Sequence, residues 1–192
     1  MRVSLELTGT TTLLCHNVQL SDPDNEFVQE MGVIHAKRKK TDEDRKAVER
    51  LEWYGGLYIA PGIDGPAMPT ANVRRCFNEA AKITRQGKQV ERALFFTDLH
   101  IPLVYDGPRD VGDLFDLPEH HNRASVRIGT SRIMRVRPCF PQWAIVATAE
   151  LLEDVMDPED LARIVERAGL AEGLGDNRRN GYGRFTGRVV SA

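Results

Sequence analysis

A strand–helix–strand pattern occurs twice along this chain and restricts the folds that it can adopt. The first copy begins at residues 2–7, where apolar and polar residues alternate, as expected for a strand with one buried face. A helix is predicted to begin at Pro69-Thr70, because apolar residues then recur at 3.6-residue spacing, and to end at Gly87. Short apolar runs at 93–97 and 101–105 complete this copy.

The second copy lies between residue 143 and residue 190. An apolar strand is predicted over 143–149. Asp157 as N-cap and Pro158 in the first turn start a helix that ends at Gly169, and a last strand is predicted over 182–190. Strand, helix, strand, repeated once, is the order of a ferredoxin-like (RRM-like) α+β domain, an antiparallel sheet with its helices on one face.

Residues 8–69 form a long irregular segment between the first strand and the first helix of this pattern. Because it is rich in Gly, Pro and Asp, we predict that it is an insertion within a single domain spanning 1–192. A capping box formed by Thr41 and Asp44 predicts one helix in the insertion, at about 42–53.

The composition is that of an ordinary globular protein, with 41% hydrophobic and 28% charged residues. The absence of an apolar leader or a long apolar run predicts a cytoplasmic protein without membrane contact. Cys15, Cys76 and Cys139 are widely spaced and odd in number, which favours reduced, buried thiols over a disulfide framework or a metal site. No motif for a metal or cofactor occurs, so neither is expected.

Positive charge is concentrated although the net charge is −2. Between His120 and Ala149 there is no acidic residue, and alternation over 123–137 predicts an edge strand with a row of arginines on one face. We expect this row to contact nucleic-acid phosphates through Arg127, Arg135 and Arg137. A basic run at Lys37, Lys39 and Lys40 is either a second phosphate contact or a solvated run offset by nearby acids.

The segment 169–185 links the last predicted helix to the last strand and combines glycines with arginines. Five glycines in fifteen residues allow positive φ and close backbone approach, so Gly173 and Gly175 are candidates for phosphate contacts. Charge would come from arginines and base stacking from an aromatic ring. These candidates are Arg178, Arg179, Arg184 and Tyr182. The alternative is that Gly169 caps the helix and the other glycines form a flexible turn.

This glycine-rich loop, ending in Gly181-Tyr-Gly-Arg-Phe185, is similar to that of the RAMP superfamily, the RNA-binding proteins of CRISPR effector complexes. The Pro69-Thr-Ala-Asn-Val73 start of the first helix also resembles theirs. Residues 8–69 match no particular subunit, and the whole chain looks more like small RAMP-like proteins of bacteriophages, which would work in the host cytoplasm. The resemblance implies binding of single-stranded RNA, or by extension DNA, by copies laid side by side.

We therefore expect a single-stranded nucleic-acid-binding protein that assembles as a homo-oligomer or filament and is not an enzyme. Two alternatives stay open. The first is a self-assembling scaffold protein without nucleic acid, in which an acidic loop meets a basic strand of the next copy. The second is an endoribonuclease, since some proteins of the family use a histidine near the first strand and His16 lies in that region.

Overall fold

The computed structural model describes residues 1–191, without the side chains of Ile128 and Ser131. Its α+β fold contains antiparallel sheets and, within these residues, six helices. The strands are β1 (Arg2–Gly9), β2 (Leu13–Leu14), β3 (Ala67–Pro69), β4 (Leu94–Phe96), β5 (His100–Pro102), β6 (His121–Ile128), β7 (Ser131–Phe140), β8 (Ala144–Leu151) and β9 (Phe185–Ser191). The helices are α1 (Glu26–His35), α2 (Asp42–Gly56), α3 (Thr70–Lys82), α4 (Gly87–Ala93), α5 (Val111–Phe115) and α6 (Pro158–Arg167).

The main sheet has four antiparallel strands in the order β4-β8-β1-β9. The alternation at the start of the chain places Val3, Leu5 and Leu7 on its buried face, each at most 1% exposed. Its other face carries polar pairs, such as Arg188 with Glu6 at 2.7 Å. One face of the sheet is therefore covered and the other is open to solvent.

Two helices supply much of the core against this sheet. The apolar stripe of α3 includes Val73 and Phe77, and that of α6 includes Leu161 and Ile164, all with no exposed surface. The predicted helices at these two positions are confirmed, because apolar spacing and caps are local signals. The predicted stop at Gly87 is wrong: α3 ends at Lys82, and Gly87 begins α4.

The predicted insertion folds into α1 and α2, and α2 packs against a second, three-stranded sheet of order β2-β7-β6. The helix predicted from the capping box is confirmed, and it extends to Gly56. Trp53 has no exposed surface and donates a hydrogen bond of 2.8 Å to His120 O. Residues of α2 are thus part of the hydrophobic core.

The three cysteines are free and buried, as predicted. Burial raises the pKa of the Cys15 thiol to about 12, so this thiol stays protonated at neutral pH. Over residues 1–191, none of the helices has the length and apolar character that crossing a membrane requires.

Candidate nucleic-acid interface

The glycine-rich loop, residues 169–185, is anchored to the beginning of the chain by backbone hydrogen bonds. Gly183 N donates to Thr12 O at 2.9 Å, and Asp176 N donates to Leu14 O at 2.8 Å. These bonds tie the loop to residues more than 160 positions away in sequence. The loop therefore has a fixed path beside β2.

Two glycines in this loop are required by close backbone approach. Gly175 and Gly183 have φ values of +74° and +69°. A Cβ at Gly175 would lie 2.2 Å from Leu14 O, and one at Gly183 would lie 1.8 Å from Leu174 O. Any other residue at either position would displace the backbone that it meets.

The amides of the two predicted phosphate-binding glycines differ in availability. Gly173 N donates to Ala168 O at 2.8 Å, so it is already used inside the protein. Gly175 N makes no hydrogen bond with any residue that the structure describes, and Gly175 lines a surface cleft. Of the two, Gly175 is the one with a free donor for a ligand.

The single arginine row predicted over 123–137 does not form, because the chain reverses at Gly129 and makes a hairpin. Arg127 is paired with Arg132 across the hairpin, and Arg135 is paired with Ala124. Directly paired residues in an antiparallel hairpin share a face, so Arg127 and Arg135 project from opposite faces. The prediction treated residues 123–137 as one strand, whereas the turn divides them into β6 and β7 and changes which residues share a face.

Arg135 and Arg137 are already neutralised within the protein. Arg135 forms an ion pair with Glu52, whose other oxygen accepts a hydrogen bond of 2.9 Å from Val136 N. The Nε of Arg137 lies 2.7 Å from Asp176 Oδ2 in the glycine-rich loop. These arginines fix α2 and the loop to β7, and their charge is partly cancelled for an external ligand.

Three adjoining surface clefts follow the glycine-rich loop. The central cleft, about 470 Å³, lies between His16, Tyr58, the first turns of α3 and loop residues 173–178. The hairpin cleft, about 280 Å³, shares His16 with it and runs along β7. The loop cleft, about 550 Å³, shares Arg75, Asp176 and Arg178 with the central cleft and continues along the loop to Arg184.

The three clefts together are lined by seven arginines and four carboxylates, which gives an excess of positive charge. The arginines are Arg75, Arg127, Arg135, Arg137, Arg178, Arg179 and Arg184. Within residues 1–191, Arg75 and Arg179 have no hydrogen bond or ion pair, and both are exposed. Arg178 has one carboxylate neighbour, Glu172, at 4.0 Å. The free cations thus cluster where the central and loop clefts meet.

Arg184 and Tyr182 are placed differently from the other predicted loop residues. The Nη2 of Arg184 donates to Arg178 O at 3.1 Å, and its buried Nη1 has no partner among the described residues. Arg184 thus holds the loop in place through this hydrogen bond and also lines the loop cleft. Tyr182 is half-buried and lines none of the three clefts.

Lys37, Lys39 and Lys40 lie on the exposed connection between α1 and α2 and do not line the three clefts. Lys37 Nζ is 2.5 Å from Asp44 Oδ1, and Asp44 also caps α2. The structure therefore does not bring the lysines together with the loop arginines.

His16 lies where the central and hairpin clefts meet. Partial desolvation lowers the pKa of its imidazole; Asp176 acts in the opposite direction, and Arg137 adds to the lowering. Its ring has no hydrogen-bond partner among the described residues. His16 is consequently neutral at pH 7.

Asn72, Arg75 and His100 line the central cleft but are not among the site residues predicted from the sequence. Arg75 had a usable signal, since it lies on the polar side of α3 opposite the apolar stripe. His100 is brought to the cleft by the β3–β5 pairing, in which Pro69 is opposite His100. That pairing is non-local and leaves no pattern in the sequence.

No protein-family model matches this sequence, and no curated protein matches it. Among solved structures, the fold is similar to that of a chain in the cryo-EM structure of the type III-B Cmr-beta bound to cognate target RNA. The similarity has a TM-score of 0.51 at 12% sequence identity and covers 99% of this chain and 60% of the other. This chain thus spans about three fifths of the solved one, and at this identity the likeness concerns the fold.

Proposed function

We propose that this protein binds single-stranded RNA, with the strand lying along the hairpin, central and loop clefts. The observation that carries the proposal is a cluster of three arginines: Arg75 and Arg178 line both the central and the loop cleft, and Arg179 lines the loop cleft beside them. Arg75 and Arg179 have no ion pair among the described residues, and Arg178 has one carboxylate neighbour, at 4.0 Å. Exposed cations in a concave surface attract a polyanion even when the whole protein is slightly acidic. The solved chain of similar fold belongs to an assembly bound to target RNA, which agrees with this choice of ligand.

We infer further that the chain is a RAMP-like domain of ferredoxin-like topology. Support comes from the strand order β4-β8-β1-β9. In chain order, β1, β4, β8 and β9 are the first, second, third and fourth strands of the repeated strand–helix–strand pattern. The sheet order is then second, third, first and fourth, which is the order of a ferredoxin-like sheet. The glycine-rich loop between α6 and β9 has the position that the family resemblance implies.

Single strands fit these clefts better than duplexes do. Clefts of about 280 to 550 Å³ have room for individual nucleotides with their bases exposed. A duplex keeps its bases stacked inside and presents a convex backbone, so it would contact the rims alone. We expect RNA to bind more tightly than DNA, because the free polar groups of the central cleft include partners for a 2′-hydroxyl.

The test is fluorescence anisotropy with labelled single-stranded RNA, single-stranded DNA and duplex over a series of salt concentrations. The Arg75→Ala/Arg178→Ala/Arg179→Ala variant is compared with a charge-matched control, Arg2→Ala/Arg45→Ala/Arg163→Ala. The three control arginines are exposed and pair with Glu150, Asp42 and Asp160 away from the clefts.

Each lost phosphate contact lowers the slope of log affinity against log salt by about 0.7 for a single strand. The cleft variant should therefore lose about 2 from that slope, whereas the control keeps the wild-type slope. Equal weakening by the two triple variants would show that binding is non-specific, and equal affinity for duplex would contradict the single-strand proposal.

We also propose that the protein binds RNA without cleaving it. The His16 imidazole has no carboxylate partner among the described residues that would orient it as a general base. Incubation of the protein with end-labelled RNA should leave the strand intact. Cleavage that disappears in His16→Ala, with binding unchanged, would instead establish a nuclease.

Assembly of several copies along one strand is part of the same proposal. Sedimentation velocity with RNA of increasing length should then show complexes that grow by whole copies of the 21.6 kDa chain. Growth of the protein alone with concentration, independent of RNA, would favour the scaffold function.

A further inference from the structure

The central cleft collects polar side chains that the protein itself does not use. His16, Arg75 and His100 line the cleft, and their side chains have no hydrogen bond or ion pair within residues 1–191. Asn72 Nδ2 has a sulfur neighbour, Met68 Sδ at 3.7 Å, which is a weak acceptor, and the Asn72 side chain also acts on the Tyr58 hydroxyl, whose pKa it lowers. Three side chains without a hydrogen bond or ion pair in one cleft indicate a polar ligand.

Apolar and aromatic side chains also line the central cleft. Tyr58 is half-buried there, and its hydroxyl donates a hydrogen bond of 3.0 Å to His16 O, which fixes the position of the side chain. Burial raises the pKa of this phenol. Ile59 and Leu174 line the cleft beside it. A ligand that fills the cleft therefore has a flat or apolar part as well as polar groups.

Cations lie at one end of the cleft. Arg75 and Arg178 belong to both the central and the loop cleft, so an anionic group placed between them would sit at the junction. Asn72, one turn before Arg75 on α3, lines the central cleft and not the loop cleft. A ligand that matches this arrangement has an anionic group at the junction of the clefts and a ring inside the central cleft. A nucleoside phosphate has both.

We propose that the central cleft is a pocket for one nucleotide, which leaves the stack of the bound strand and places its base beside Tyr58 and its phosphate between Arg75 and Arg178. This inference rests on the proposed function and adds to it a defined subsite. The volume of about 470 Å³ is within the range of small-ligand pockets. Extraction of one base from a single strand is easier than from a duplex, because no pairing is lost.

The experiment is a titration of the ¹⁵N-labelled protein with AMP, ribose 5-phosphate and inorganic phosphate, followed by NMR. We expect AMP to shift the amide signals of Asn72 and Gly175, with an affinity about tenfold above that of ribose 5-phosphate, since base stacking on an aromatic side chain adds roughly this factor. Tyr58→Ala should remove this difference, and Tyr58→Phe, which keeps the ring, should retain it. Asn72→Ala provides a second variant, which removes a polar group of the cleft and keeps the Tyr58 ring.

Each outcome decides the matter. Equal binding of AMP and ribose 5-phosphate by the wild type would overturn the nucleotide pocket and leave a phosphate site. Signals that do not move with AMP at millimolar concentration would also overturn it. The mononucleotide result is separate from RNA binding: if the anisotropy test fails but AMP binds, the pocket stands alone, and if RNA binds but AMP does not, the clefts bind the backbone only.

Discussion

Replacement of Gly183 by alanine should distort the glycine-rich loop, whereas the same change at Gly181 should not. Both glycines have positive φ, +69° and +85°. An alanine at either position therefore carries a similar conformational strain, about 1–2 kcal/mol. The two sites differ in what the new methyl group meets: Leu174 O at 1.8 Å for Gly183, and no described atom within 4 Å for Gly181.

The additional effect at Gly183 follows from the hydrogen bonds that the displaced backbone makes. Leu174 N donates to Gly183 O at 2.8 Å, and Gly183 N donates to Thr12 O at 2.9 Å. Loss of both costs about 2 kcal/mol, at about 1 kcal/mol each. Gly183→Ala should thus lower the free energy of unfolding by about 3–4 kcal/mol, and Gly181→Ala by about 1–2 kcal/mol.

Urea and thermal unfolding measure this difference. In a chain of this size, 1 kcal/mol corresponds to about 2–4 °C in Tm, so we expect losses of about 10 °C and about 4 °C. RNA affinity should fall about tenfold in Gly183→Ala, a loss of about 1.4 kcal/mol, because Arg178 is displaced with the loop. If the two variants have the same stability and the same affinity, the close packing of the loop is not what positions its arginines.

Two further predictions concern groups that support the clefts. Glu52→Leu leaves Val136 N and Arg135 without their buried partner and should lower the free energy of unfolding by about 3 kcal/mol. Glu52→Gln keeps an acceptor and should lower it by about 1 kcal/mol, as measured by urea denaturation. Equal losses in the two variants would contradict the role of the ion pair. The lowered pKa of His16 predicts an NMR titration midpoint below 6.5, so its contribution to stability is complete above pH 6.5 and is lost as pH falls through the folded-state pKa. Asp176→Asn should lower that midpoint further, and a rise would refute the assigned electrostatics.

Local patterns predicted the elements whose signals are contained in a few residues. The strand at 2–7 and the helices α3 and α6 were found because apolar spacing and caps mark them directly. Helix α1 was missed: within it Met31 is buried, and Gly32 interrupts its pattern. An element with one buried residue has little amphipathic signal to detect.

The site depended more on contacts between distant residues. The glycine-rich loop was recognised from its composition, but the amide of Gly173 and the charges of Arg135 and Arg137 are used inside the protein. The Arg137–Asp176 pair joins residues 39 positions apart on different elements, and no local pattern predicts it. The central cleft likewise needs the β3–β5 pairing, which sequence periodicity does not reveal.

The position of β1 in the main sheet determines when this sheet can be completed during synthesis of the chain. β1 is hydrogen-bonded on one side to β8 and on the other to β9, where Val3 is opposite Ser191. A nascent chain that has left the ribosome as far as residue 170 therefore lacks β9, the partner strand for that edge. Folding must wait for contacts of very long sequence separation, which slows it and leaves β1 exposed to chaperones until residues 185–191 emerge.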